Sequence, residues 1–263
     1  MLVSNMNKRI EMKRSHTVVL ILFAILTLGI ALTLLLTDHS RNKNNTAGAA
    51  PLSSPDAPAR WTNPCNATRN FSLGDFTFPD VSEFEKIQRI EEKLLAAKDI
   101  ANNLQTKMSK ERIRSPSLEV YVESHHIENF PQTTITDQDL EIYKKNVTLA
   151  YVRTYRDLSV VAAFLEAIRK DEVTFEHGSW LSTFSENEEH IYRLLCEVHN
   201  AIIISGATIE YESRDIVPES MRNMFDRTMR YMRDYIILRD SVKLLQSFLD
   251  MNEVILSSLS NSS

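Results

Sequence analysis

From Ser82 to Leu256 the chain repeats one pattern, apolar residues spaced by three, four and seven. That spacing stacks side chains on one face of a helix with 3.6 residues per turn. Phe84, Ile87, Leu94, Ala101, Leu104 and Met108 make the first stripe, opened by Ser82-Glu83-Phe84-Glu85 with capping-box spacing. This helix is expected to reach about Arg112, and Ser115-Pro116 ends it. A second helix is expected from Thr136 or Asp137 to about Lys170, with Leu140, Tyr143, Val147, Tyr151, Leu158, Val161, Leu165 and Ile168 inward. Ser185-Glu186-Asn187-Glu188 has the spacing of another capping box. The third helix then carries Ile191, Leu194, Leu195, Val198, Ile202 and Ile203 and stops at Ser205-Gly206. Val217-Pro218-Glu219 opens the fourth, whose inner face is Met224, Phe225, Met232, Tyr235, Leu238, Val242, Leu245, Leu249 and Ile255. The expected fold is all-α, a four-helix bundle over residues 80–258.

Glycine usage narrows the alternatives. Five glycines are too few for the phosphate-binding loops, nucleophile elbows and doubly wound sheets that need positive φ or close backbone approach. A net charge of -5 gives no basic footprint for nucleic acid.

The segment ahead of the bundle sets the compartment. Thr17 to Thr37 carries no charge, and about 20 apolar residues cross a ~30 Å hydrocarbon core. A cleavable signal is usually shorter and has a small-residue site close behind it. Lys8, Arg9, Lys13 and Arg14 precede the span, against Arg41 and Lys43 after it, which places residues 1–16 in the cytoplasm. The expectation is a single-pass type II membrane protein: a transmembrane signal anchor at 17–37, an extracellular stalk over 38–79 rich in Ser, Asn, Pro and Ala, and an extracellular C-terminal ectodomain. Order is expected to begin near Phe76-Thr77-Phe78-Pro79. Sequons at Asn44, Asn66, Asn70, Asn146 and Asn261 all lie on the expected outer side, in keeping with a glycoprotein. Asn146 falls on or beside the second apolar stripe, a position that disfavours use of its sequon. In an oxidising compartment Cys65 and Cys196 persist as an internal disulfide, as a bond to another subunit, or as two thiols, with the internal bond favoured.

The connections leave two topologies open. The long first connection favours parallel first and second helices, and the second is short enough for an antiparallel turn. The third must climb ~30 Å if the last two helices are also parallel, and about 11 residues reach at most ~36–40 Å. Up-up-down-down is feasible, and up-down-up-down stays open.

The second helix reads DLEIYKKNVTLAYVRTYRDLSVVAAFLEAIRKDE, the third contains IYRLLCEV and the last contains MRDYIILRDSVKLLQSFLDM. Together these resemble helices B, C and D of the long-chain class I helical cytokines. The similarity is to the branch of ciliary neurotrophic factor, cardiotrophin-like cytokine and leukaemia inhibitory factor, over roughly residues 65–257. The resemblance implies the up-up-down-down topology and cell-surface cytokine receptors as partners. It also implies a staple between a cysteine ahead of the first helix, here Cys65, and one in the third, here Cys196. The family's Phe-x-x-Lys at the start of the last helix is Phe225-Asp226-Arg227-Thr228 here, which keeps the aromatic and loses the lysine. The family is mostly secreted, so this chain acts either from the cell surface or after being cut in its stalk and released.

Candidate chemistry is sparse. His125, His126 and Glu128 sit in a loop without fixed ligand geometry, and a solvated loop is the stronger reading. Asp137, Asp139 and Glu141 suit a helix N-terminus. No enzyme, metal or cofactor is expected. Receptor-contact candidates are Trp180, Phe225, Arg222 and Arg227. Trp180 either caps the core or anchors a partner, and Phe225 has the same two readings with the core favoured. Arg222, Arg227, Arg230 and Arg233 read first as a solvated face and otherwise as a receptor face. The leading function is a membrane-anchored signalling ligand with a monomeric ectodomain that brings receptor chains together. The alternative is a type II coiled-coil tether, supported by the heptad-like first helix.

Overall fold

The computed structural model describes residues 58–65 and 81–260. The expected membrane anchor 17–37, most of the expected stalk, and Asn44, Asn66, Asn70 and Asn261 lie outside the described residues. Among the described residues no helix is long and apolar enough to cross a membrane.

The described chain is all-helical. Its helices are α1 Glu83–Met108, α2 Pro116–Ser124, α3 Asp137–Lys145, α4 Val147–Phe175, α5 Leu181–Ile204, α6 Glu219–Arg222 and α7 Arg227–Ser260. A π turn, Ser109–Ile113, extends α1, and 3-10 turns occupy Arg60–Thr62 and Arg214–Ile216. The Ser82 hydroxyl accepts from the Glu85 N–H while the Glu85 carboxylate accepts from the Ser82 N–H, so the first expected capping box forms. Thr136 and Asp139 make a second box at α3, and the Thr136 hydroxyl holds the Asp139 carboxyl below its ordinary range.

Four long helices share one core. Helix α1 lies against α7 and α5, and α4 lies against α5. Ile87, Leu94, Leu104 and Met108 of α1, Leu158, Phe164 and Ile168 of α4, Leu194, Leu195 and Val198 of α5, and Ile237, Leu238, Leu244 and Phe248 of α7 are sealed from solvent. Pairs across the helices fix their alignment. Lys98 donates to Gln246 at 2.8 Å and Gln105 to Tyr235 at 3.3 Å between α1 and α7. Tyr151 of α4 donates to Glu83 at 2.9 Å, and Arg112 meets Glu172 at 2.8 Å. Arg169 of α4 meets Glu188 of α5 at 2.7 Å, and the Tyr155 and His199 rings lie 5.8 Å apart.

Several local expectations are corrected. The expected second helix is two helices, because Asn146 leaves the helical region (φ -143, ψ 86) between α3 and α4. Asn146 is exposed at this break and lies off the apolar stripe. Ser115-Pro116 ends the first helix and also starts α2, where proline suits the first turn. Ser185 caps nothing: α5 already begins at Leu181, and the Ser185 hydroxyl is buried with no hydrogen-bond partner among the described residues. Pro218 opens only the four-residue α6. The long last helix starts at Arg227, where the Asp226 carboxylate accepts from the Met229 N–H at 2.8 Å. Phe84 faces outward.

Residues 58–65, expected in the stalk, pack on the bundle instead. Trp61 is fully buried. Its indole N–H donates to the Glu212 carbonyl at 2.8 Å, and its own carbonyl accepts from the Tyr155 hydroxyl at 2.5 Å. A disulfide joins Cys65 to Cys196 of α5, with Cα atoms 4.7 Å apart.

Candidate functional site

Three of the four receptor-contact candidates, Trp180, Phe225 and Arg227, come together where the end of α4, the α4–α5 connection and the start of α7 meet. The last turns of α4 carry Asp171 and Glu172, and Glu176 is its C-cap. Acids at a helix C-terminus oppose the macrodipole, so they need cations from elsewhere. The structure supplies arginines from α7 and from the π turn.

Glu172 is the first hub. Its carboxylate accepts from Arg112 Nη2 at 2.8 and 3.1 Å, from the Ser179 hydroxyl at 3.0 Å and from the Trp180 N–H at 2.6 Å. This bends the α4–α5 connection into a tight turn. Gly178 donates its N–H to the Glu172 carbonyl at 2.9 Å and adopts φ +73, which glycine takes without a Cβ penalty. The turn lays Trp180 across the Arg112 guanidinium, 4.2 Å from the ring centroid, with Lys107 4.4 Å from the same ring.

Glu176 is the second hub. Its carboxylate accepts from Arg230 at 2.7 Å, from Arg227 at 2.7 and 3.1 Å and from the Tyr231 hydroxyl at 2.8 Å. Burial pushes its pKa up, but the bonds donated by Arg230, Tyr231 and Arg227 outweigh it and hold the carboxyl below its ordinary 4.5. The Asp171 carboxylate lies 2.8 Å from Arg233, and Arg233 also meets Asp234 beside it. Burial pushes both aspartates up, against the pull of Arg233.

The arginine run therefore divides. Arg230 and Arg233 are buried in ion pairs, which corrects the expectation of a continuous solvated or receptor-facing row. Arg227 stays largely in solvent while pinned to Glu176. Arg222 is half-exposed and pairs with Asp215 at 3.3 Å.

Trp180 is only 9% exposed, so its bulk belongs to the core, yet one edge lines an open cavity with Arg227. Phe225 reverses the favoured reading: it is 81% exposed. It precedes α7 and so escapes the stripe, and its ring makes a T-shaped contact with Phe175, 6.1 Å between centroids. Sequence reasoning missed Asp171, Glu172 and Glu176, which it placed in or beside a polar connection. The available signal was three acids at a helix end, answered by arginines early in the last helix.

His125 stacks on Tyr121 and bonds its carbonyl, and His126 lies 3.8 Å from Asp240. Among the described residues no group of three metal-ligating side chains is found. No protein-family model, no curated protein and no solved structure matches the chain.

Proposed function

We propose that this chain is a helical cytokine-like ligand, held in the membrane by residues 17–37, that binds and brings together cell-surface receptors. The end of the bundle around Phe225 is then its contact surface. The observation that carries this reading is Phe225, a large ring 81% exposed beside Arg227. Aromatic and arginine side chains dominate binding hot spots, and a rigid support reduces the entropy lost on docking. The Glu176 hub provides that support. In this reading the helices run up-up-down-down. The alignment of Glu83 with Tyr151 and Arg112 with Glu172 supports parallel α1 and α4, and Lys98 with Gln246 and Gln105 with Tyr235 supports an opposed α1 and α7. The return of the chain along α4 supports it too: Glu212 bonds Ser159 at 2.8 Å and Arg214 bonds Glu166 at 3.1 Å. A coiled-coil tether needs a free apolar seam on the first helix, and burial of that stripe within the chain counts against it.

Cells displaying the full chain would be placed on responder cells, followed by cross-linking of receptor chains and measurement of receptor-associated kinase phosphorylation. Receptor cross-linking and phosphorylation are expected with the wild type and lost with Phe225→Asp. Equal signals from both chains would remove this surface from the mechanism, and no signal from either would remove the ligand reading.

A further inference from the structure

A cavity of about 490 Å³ opens between the π turn, the α4–α5 connection and the start of α7. Glu111, Arg112, Arg114, Trp180, Arg227 and Tyr231 line it. Arg112 is its distinctive group. The side chain is 5% exposed, and its guanidinium lies between the Trp180 ring at 4.2 Å and the Tyr231 ring at 4.5 Å. Nη2 is engaged by Glu172, whereas Nη1 is buried with no hydrogen-bond partner among the described residues. A buried donor without an acceptor is costly, and an oxyanion would satisfy it. Arg114 is exposed on the rim, with no ion pair among the described residues.

We propose that this cavity receives the carboxylate of one Asp or Glu side chain from a protein partner, with Arg112 Nη1 as the buried donor and Arg114 guiding entry. A carboxylate is flat enough to enter beside the two flanking rings, and its charged oxygen is the acceptor that Arg112 Nη1 lacks. Glu111 is the one acid in the lining, beside Arg112, Arg114 and Arg227, so the cavity favours a single negative group. The chain carries a net charge of -5. A polyanion such as a sulfated glycan would meet repulsion outside the cavity. This deepens the receptor-ligand reading and rests on it only for what the partner is.

Two tryptophans give the test its internal control, because Trp180 lines the cavity and Trp61 is buried against Glu212. The full-length, ¹⁵N-labelled chain in detergent micelles would be titrated with N-acetylglutamate amide, N-acetylglutamine amide and sulfate while both indole N–H signals are followed. The glutamate probe is expected to shift the Trp180 signal saturably and leave Trp61 in place, and the glutamine probe to shift neither. Arg114→Gln is expected to weaken the apparent affinity by up to about fivefold, and Glu111→Gln to strengthen it by a similar factor. Arg112→Lys, which keeps the charge opposite Glu172 but loses the Nη1 donor, is expected to abolish saturation. The two rim variants carry the test if that variant does not fold. A non-saturable response, an equal response to the glutamine probe, or rim variants with unchanged midpoints would overturn the proposal. Saturation by sulfate in preference to the glutamate probe would overturn the commitment to a protein carboxylate. Loss of this site with Phe225-dependent receptor engagement intact would leave the ligand reading standing, and the reverse result would leave only the carboxylate site.

Discussion

Phe225 and Trp180 show how position relative to a helix start decides the fate of an aromatic ring. Phe225 falls just before α7 and stands in solvent, whereas Trp180 sits at the cap position of α5 and turns inward. Phe225→Asp should therefore change stability by no more than about 0.5 kcal/mol in urea denaturation. Trp180→Ala should cost about 3 kcal/mol by the same measurement, because it empties a packed site and uncovers Arg112. Glu176 gives a pH-dependent case. Its carboxyl is held below the ordinary 4.5, so its contribution is present above that pH and fades as pH falls through the lower folded value. Glu176→Gln should destabilise by about 2–3 kcal/mol at neutral pH. In thermal melts recorded against pH, the gap between variant and wild type should close below the ordinary carboxylate range.

At the scale of elements, helix boundaries follow local chemistry where a cap or a glycine is decisive. Gly206 ends α5 with φ +70, and nothing lies within 4 Å of the space a Cβ would take. Gly206→Ala should cost about 1 kcal/mol, all of it backbone conformation, read as a shift of the urea midpoint at constant slope. The far end of α4 obeys a different rule. It runs past Lys170 to Phe175 through acids that oppose the helix dipole, and arginines distant in sequence make that extension stable. The capping boxes at Ser82 and Thr136 are legible from four residues each. Ser185 shows the limit of that reading, since the turn around Glu172 starts the helix one turn earlier and strands the serine inside it.

At the scale of the whole molecule the disulfide and Trp61 act together. Cys65 and Cys196 are 131 residues apart, and closing a loop of that length removes unfolded-state entropy worth about 5 kcal/mol in the chain-entropy model. Reduction, or replacement of both cysteines by serine, should lower stability by about that amount in urea denaturation. The reduced chain should also bring the Trp61 indole N–H into faster hydrogen exchange, since its bond to Glu212 depends on the docked segment.

The sequence alone determined the class of this protein's fold and most of its core. Period-3.6 stripes make Ile87, Leu94, Leu158, Leu195 and Leu245 face inward wherever the helices meet, because an apolar face must leave water. Two cysteines limit the internal pairing to one. Tertiary structure alone decided the candidate site. Glu172 and Arg112, or Glu176 and Arg230, pair across separations of 60 and 54 residues, and no local pattern specifies which buried acid meets which arginine. That choice, and with it the cavity lined by Arg112, Trp180 and Arg227, exists only once segments distant in sequence are brought to one place.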